Sequence, residues 1–251
     1  MGPVELSLGA WVWLAVAGVL VGVAKTAISG VGSIAVVMFA AVLPARESTG
    51  AILPLLVCGD VVAVACYRRH ADWGTLWRLV PGVLPGLFLG AWFLAVVDDM
   101  VMRRTIAVTL LVMCGIQLWQ RAHTAQLALT GPRRPHGLTT LGTGAAAGFA
   151  TMTANAAGPV TTIYLIRAGL PMLQMIGTGA WFYLVVNLTK VPFSAGLGLI
   201  TPTSLVRDAL LVPALLAGAG LGILLVRRLQ QRQFEVVTLA FSAGSAALLL
   251  L

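Results

Sequence analysis

Residues 10–43 form an unbroken apolar run in which Lys25 is the one charged side chain. As a single helix the run would extend roughly 50 Å at 1.5 Å per residue. The hydrocarbon core of a bilayer is only about 30 Å thick. Residues 139–168 repeat the excess. Both runs are interrupted near the middle by small residues, "SGVGS" at 29–33 and "TANAAGP" at 153–159. Each is expected to enter, break and turn back. Such backbone is tolerated at membrane depth only where it is buried in protein or lines a polar cavity.

Six further apolar stretches, at 51–67, 74–97, 101–119, 175–193, 204–226 and 234–251, complete the chain. Only 10% of residues are charged, against about 25% in soluble domains, so the chain is read as an integral membrane protein. The net charge of +8 lies in the connections between apolar runs. That placement fits loop charge and argues against a nucleic-acid-binding face. The first twenty residues lack the basic start and cleavage site of a signal peptide, so they are expected to stay as the first membrane element. Cys58, Cys66 and Cys114 fall in apolar stretches and read as small buried hydrophobes. No metal-ligand, redox or phosphate-loop spacing occurs in the sequence. Neither a cofactor, a metal site nor a catalytic residue is expected, and the chain is not read as an enzyme.

The two halves resemble each other. Gly22, Ser29 and Gly32 recur as Gly148, Asn155 and Gly158; Pro44, Gly50 and Asp60 as Pro171, Gly177 and Asn187; Pro81, Gly86 and Gly90 as Pro213, Gly218 and Gly222. We divide the chain into a first transmembrane repeat at 1–120, a cytoplasmic linker at 121–138 read as a solvated loop, and a second transmembrane repeat at 139–251. If both long runs return to their starting side, the basic loops 68–73, 120–138 and 227–233 share one side, as the positive-inside rule favours. Each half then makes an odd net number of crossings, and the repeats are inverted. The expected fold is an all-α polytopic membrane protein of two inverted repeats, each a broken helical hairpin plus three transmembrane helices. Both termini are expected outside the cytoplasm.

Ionisable side chains within membrane segments are costly and mark functional sites by default. Lys25 lies just before the first break. Asp60 lies within "AILPLLVCGDVVAVACY", at the depth of its repeat partner Asn187, with Lys190 one turn further on. A broken helix presents backbone N–H groups and a positive dipole end at the start of its second half, which favours an anion. Lys25, Thr26, Ser29, Gly30, Gly32 and Ser33 from the first break, with Asn155, Gly158 and Pro159 from the second, are therefore the candidate substrate-binding residues. Ser33 suits an N-cap and Pro159 a first helical turn. Asp60, Asn187 and Lys190 are the candidate coupling and gating residues.

The stretch from Gly18 to Trp73, with its glycine-rich break, the following Pro44, Asp60 and "ADW" end, resembles the first repeat of the TauE/SafE sulfite-exporter family. "GFATMTANAAGPVTTIYLIRAGLP" followed by "NLTKVPFSAGLG" resembles that family's second signature. The family's glycine runs are thinned here, so Ser29, Ser33 and Asn155 stand where relatives often have bare backbone. The resemblance implies a secondary transporter, often an exporter, of sulfite, an organosulfonate or a related small anion in a bacterial cytoplasmic membrane. Protons are the expected coupling ion, the lipid bilayer and the small anion the expected partners, and a homodimer is compatible with this architecture. Nucleic acid is not an expected partner. An anion channel, or a permease for another small anion such as a carboxylate, is the alternative.

Overall fold

The structure, a computed structural model, describes residues 6–27, 31–129 and 137–226. Among these residues it is all helical, with ten α-helices and one short 3-10 turn. They are α1 (Leu8–Thr26), α2 (Gly32–Val42), α3 (Ala45–Ala51), α4 (Leu53–Tyr67), α5 (Trp73–Val96), α6 (Asp99–Leu129), α7 (Gly137–Ala154), α8 (Gly158–Arg167), α9 (Met172–Gly196) and α10 (Pro202–Val226). Among the described residues, five helical stretches are long and apolar enough to cross a membrane: Leu8–Thr26, Ala45–His70 (α3, α4 and the 3-10 turn together), Trp73–Val96, Asp99–Trp119 and Pro202–Leu225. The sequence suggests about eight segments. α9 has the length, but Asn187, Thr189 and Lys190 reduce its hydropathy, and residues 234–251 lie outside the described region. Helix α6 runs on to Leu129, so the segment read as a loop from residue 121 begins as helix.

Both long apolar runs do break and turn back. A Cβ built on Gly32 would lie 3.6 Å from that of Ala24, which a continuous helix would hold more than two turns away. In the second half, the Tyr164 hydroxyl of α8 donates to Thr75 O near the start of α5, the helix whose Gly82 packs on Leu141 near the start of α7. Polar side chains define the starts of three other helices. Ser7 accepts from Ala10 N–H at 3.2 Å and Asp72 from Thr75 N–H at 2.7 Å. Thr201 and Ser204 exchange bonds between their hydroxyls and each other's N–H groups ahead of α10. These caps satisfy donors that a helix start leaves without intrahelical partners.

The repeat glycines are where backbones meet. Gly22 packs on Leu215, Gly218 and Ala219, bringing α1 and α10 together in parallel; Gly148 packs on Val83, Gly86 and Leu87, bringing α7 and α5 together in the same way. Gly218 faces Val19 and Gly86 faces Ala145; Gly222 faces Thr26 and Gly90 faces Met152. Each of these contacts runs between the two halves, and its counterpart under the repeat runs between them the other way round. A side chain at these positions would hold the helices apart, and close approach of small residues is the main way helices adhere in lipid. Helices α4 and α9 cross antiparallel, with Gly50 on Leu199, Asp60 on Asn187, and Gly177 on Tyr67 and Ala71. Asp60 and Asn187 are themselves repeat partners, so the approximate twofold axis passes between them.

These contacts also order the ends of the bundle. Thr26 packs on Gly222, and Tyr67 donates through its hydroxyl to Thr26 O at 2.9 Å. The C-terminal ends of α1, α4 and α10 therefore lie together. Gly82 on Leu141 and Gly86 on Ala145 place the start of α7 beside the start of α5, at that same end. The loop carrying Arg68, Arg69 and His70 thus shares one end of the bundle with the start of α7 and the end of α10.

Candidate functional site

A run of buried polar side chains passes through the point where α4 crosses α9. Lys25 Nζ lies 2.6 Å from Asp60 Oδ1, with only 1% of the Asp60 side chain exposed. Asp60 Oδ2 accepts from Asn187 Nδ2 at 2.6 Å. Asn187 Oδ1 accepts from Lys190 Nζ at 3.3 Å, and Lys190 Nζ also donates to Thr151 Oγ1 at 3.4 Å and to Asn155 Oδ1. Asn155 Nδ2 completes the series by donating to Thr49 O at 3.1 Å. Lys25 Nζ also sits 5.1 Å from the centroid of the Tyr183 ring. Lys190 is itself 1% exposed. Buried charge in lipid is costly unless it is paired or hydrogen-bonded; here Lys25 pairs with Asp60, and the Lys190 ammonium is hydrogen-bonded to Thr151, Asn155 and Asn187.

Helix geometry explains why these residues meet. Asn187 and Lys190 are three apart on α9 and share a face. Asp60 faces them because α4 crosses α9 at the axis. Asn155 reaches Lys190 because it terminates α7 with φ at +49°. It is the one non-glycine residue at positive φ among the described residues, and asparagine is among the few side chains that tolerate this conformation. The turn aims its amide back into the bundle.

The two helix starts converge. Ser33 in the first turn of α2 and Asn155, Ala156, Gly158 and Pro159 at the start of α8 line one cavity of about 30 Å³, together with Leu110, Met113, Cys114 and Gln117 of α6. As found it has room for about two water molecules. Pro159 occupies the first turn of α8 as expected, whereas Ser33 is the second residue of α2, whose N-cap is Val31. Gly32 begins α2, and Ser29 and Gly30 lie outside the described residues.

Of the expected substrate-binding set, Ser33, Asn155, Gly158 and Pro159 are brought together. Lys25 is not in the cavity wall; its ammonium belongs to the Asp60 pair. Thr26 is occupied elsewhere, its hydroxyl within bonding distance of Gly22 O and Ala219 O at the α1–α10 contact. Asp60, Asn187 and Lys190 form one connected group, and the lysine that touches the cavity wall is Lys190, through Asn155. Sequence reasoning passed over Tyr183 and Asp208, and noted Thr151 at the second break without placing it in the site. Thr151 was detectable as the repeat counterpart of Lys25. Among the described residues no group of three or more His, Cys, Asp or Glu side chains is placed to hold a metal ion.

An all-helical bundle with span-length apolar helices, two inward helix breaks and a buried charged network on an internal twofold axis defines a multi-pass membrane transporter. The profile of the sulfite exporter TauE/SafE family matches residues 14–249, and the chain belongs to that family. It is accordingly a transporter of the sulfite-exporter type. No curated protein and no solved structure matches the chain.

Proposed function

We propose that the protein exports a small sulfur-containing oxyanion, such as sulfite or an organosulfonate, by alternating access driven by the proton gradient. One observation carries the reading: the first turns of α2 and α8 share a cavity whose wall residue Asn155 is linked through Lys190, Asn187 and Asp60 to Lys25. Both helix starts direct positive dipole ends toward the cavity. With two lysines against one carboxylate, the ionised network adds net positive charge beside it.

Lys190 supplies that charge through Asn155. Lys25 acts one step back, by holding Asp60. Gly32, Ser33, Gly158 and Pro159 offer the close backbone approach an oxyanion needs, and Ser29 and Gly30 are proposed to bind it on the sequence alone. Asp60 and Asn187, on the axis where α4 and α9 cross, form the gate: a proton on Asp60 releases Lys25 and lets the halves rock. The small cavity volume suits an occluded state. The end of the bundle that carries Arg68 and Arg69 faces the cytoplasm of a bacterial cell, which leaves both termini outside.

The test is sulfite flux into proteoliposomes with and without a pH gradient. Lys25→Ala is expected to reduce gradient-driven flux by about tenfold or more, as loss of an intramembrane ion-pair partner should. Undiminished flux would show that Lys25 has no part in transport. Flux that never exceeds equilibrium in wild-type protein would favour a channel, and stabilisation by carboxylates but not by sulfite would redirect the substrate assignment.

A further inference from the structure

We infer that Asp208 is a proton-binding carboxyl on a route between one end of the bundle and the Lys25–Asp60 pair. Asp208 lies two turns into α10 and is 4% exposed, and neither carboxyl oxygen has a hydrogen-bond partner. Its neighbour Arg207 is 7% exposed, and its Nη1 is likewise without a partner. Arg207 Nη2 lies 3.8 Å from Glu47 Oε1 of α3, so the guanidinium is turned to Glu47 and not to Asp208. A buried carboxylate with no donor is strongly disfavoured. The group meets that cost by carrying a proton, and the site is built so that the proton can leave when a donor arrives.

The ionisable surroundings are few. Arg207 adjoins on α10; Glu47 and Arg46, whose Nε is also buried without a partner, come from α3; and Cys58 of α4 is within electrostatic reach of Asp208. On α1, the other helix packed along α10, Lys25 is the one ionisable side chain. Further along α10, about 10 Å from Asp208 at 1.5 Å per residue, Leu215 packs at Gly59, where the Lys25 stem also packs. Asp208 therefore lies between the Glu47 carboxylate, with 37% of its side chain exposed, and the buried Asp60. Three carboxyls at successive depths form a path along which a proton passes from water to Asp208 and on to Asp60 as Lys25 withdraws. Only a proton moves; no other bond is made or broken.

This rests on the proton-coupled reading above, and the experiment separates the two. Wild-type protein and the near-isosteric Asp208→Asn are compared in proteoliposomes by sulfite–sulfite exchange, by pH-gradient-driven sulfite accumulation and by infrared difference spectroscopy of the protonated carboxyl stretch. Asp208→Asn is expected to retain exchange, which also verifies folding, to lose about tenfold or more of gradient-driven accumulation, and to lose one protonated-carboxyl band. Wild-type-like accumulation in Asp208→Asn, or an unchanged carboxyl spectrum, overturns the inference. If wild-type protein exchanges sulfite but never accumulates it, proton coupling itself fails. The infrared band then decides Asp208 alone: its loss in the variant supports the proton site and its persistence refutes it.

Discussion

Removing one member of the Lys25–Asp60 pair should destabilise the bundle far more than removing both. The two charges are 2.6 Å apart, with 13% and 1% of their side chains exposed. At an effective dielectric constant of about 20, their gross attraction is roughly 6 kcal/mol. Desolvation offsets much of this, so the intact pair contributes little net stability, yet an orphaned partner costs about 3–5 kcal/mol. Lys25→Met leaves Asp60 with Asn187 Nδ2 as its remaining donor. Asp60→Leu leaves the Lys25 ammonium with the Tyr183 ring. The double variant Lys25→Met/Asp60→Leu removes both buried charges and should recover most of the loss. Unfolding of detergent-purified protein, followed by tryptophan fluorescence across a denaturant series, gives the four stabilities of a double-mutant cycle. A coupling energy of about 2 kcal/mol or more is expected. If the two single losses simply add, the residues do not act as a pair, and the coupling role assigned to Asp60 loses its structural basis.

Three further outcomes follow from the packing and the caps. Gly22→Val and Gly86→Val place side chains against the backbone of α10 and α7 respectively, and each should cost about 1–3 kcal/mol or more by overpacking; Gly220→Ala, where a Cβ meets nothing within 4 Å, should be near neutral in the same assay. Asn155→Ala should cost about 1–2 kcal/mol from left-handed strain, while Asn155→Gly should relieve that strain but still reduce sulfite flux, because Lys190 loses its partner in the cavity wall. Asp72, which caps α5, is held below the ordinary carboxylate range first by the Thr75 N–H. Asp72→Ala should cost about 1 kcal/mol at neutral pH. Because the folded-state value is depressed, that advantage is complete above the ordinary carboxylate pKa of about 4. It disappears as pH falls further and Asp72 takes up its proton, so wild-type and variant denaturation midpoints should converge below that pH.

Much of this protein was legible in its sequence because the deciding signals are local. Apolar length against bilayer thickness is a property of a single segment, and it implied that residues 10–43 and 139–168 must break where Gly, Ser and Asn interrupt them. The matched glycines of the two halves signalled an internal repeat, and charge placement led to the expectation that the basic loops share one side. The tertiary structure decided the partners. Lys25 and Lys190 have the same rarity in the sequence, yet one is held by Asp60 and the other reaches Asn155 and the cavity wall. That difference depends on how α1 and α9 cross α4, and on a left-handed turn at Asn155 that no periodicity reports. Thr26 sits beside the first break, but it is drawn into the α1–α10 contact because Gly222 leaves room for its hydroxyl. Asp208, close to the start of its segment and next to an arginine, is not singled out by the sequence. It becomes a buried carboxyl without a donor only because Arg207 turns to Glu47, a choice made by residues about 160 positions apart in the chain.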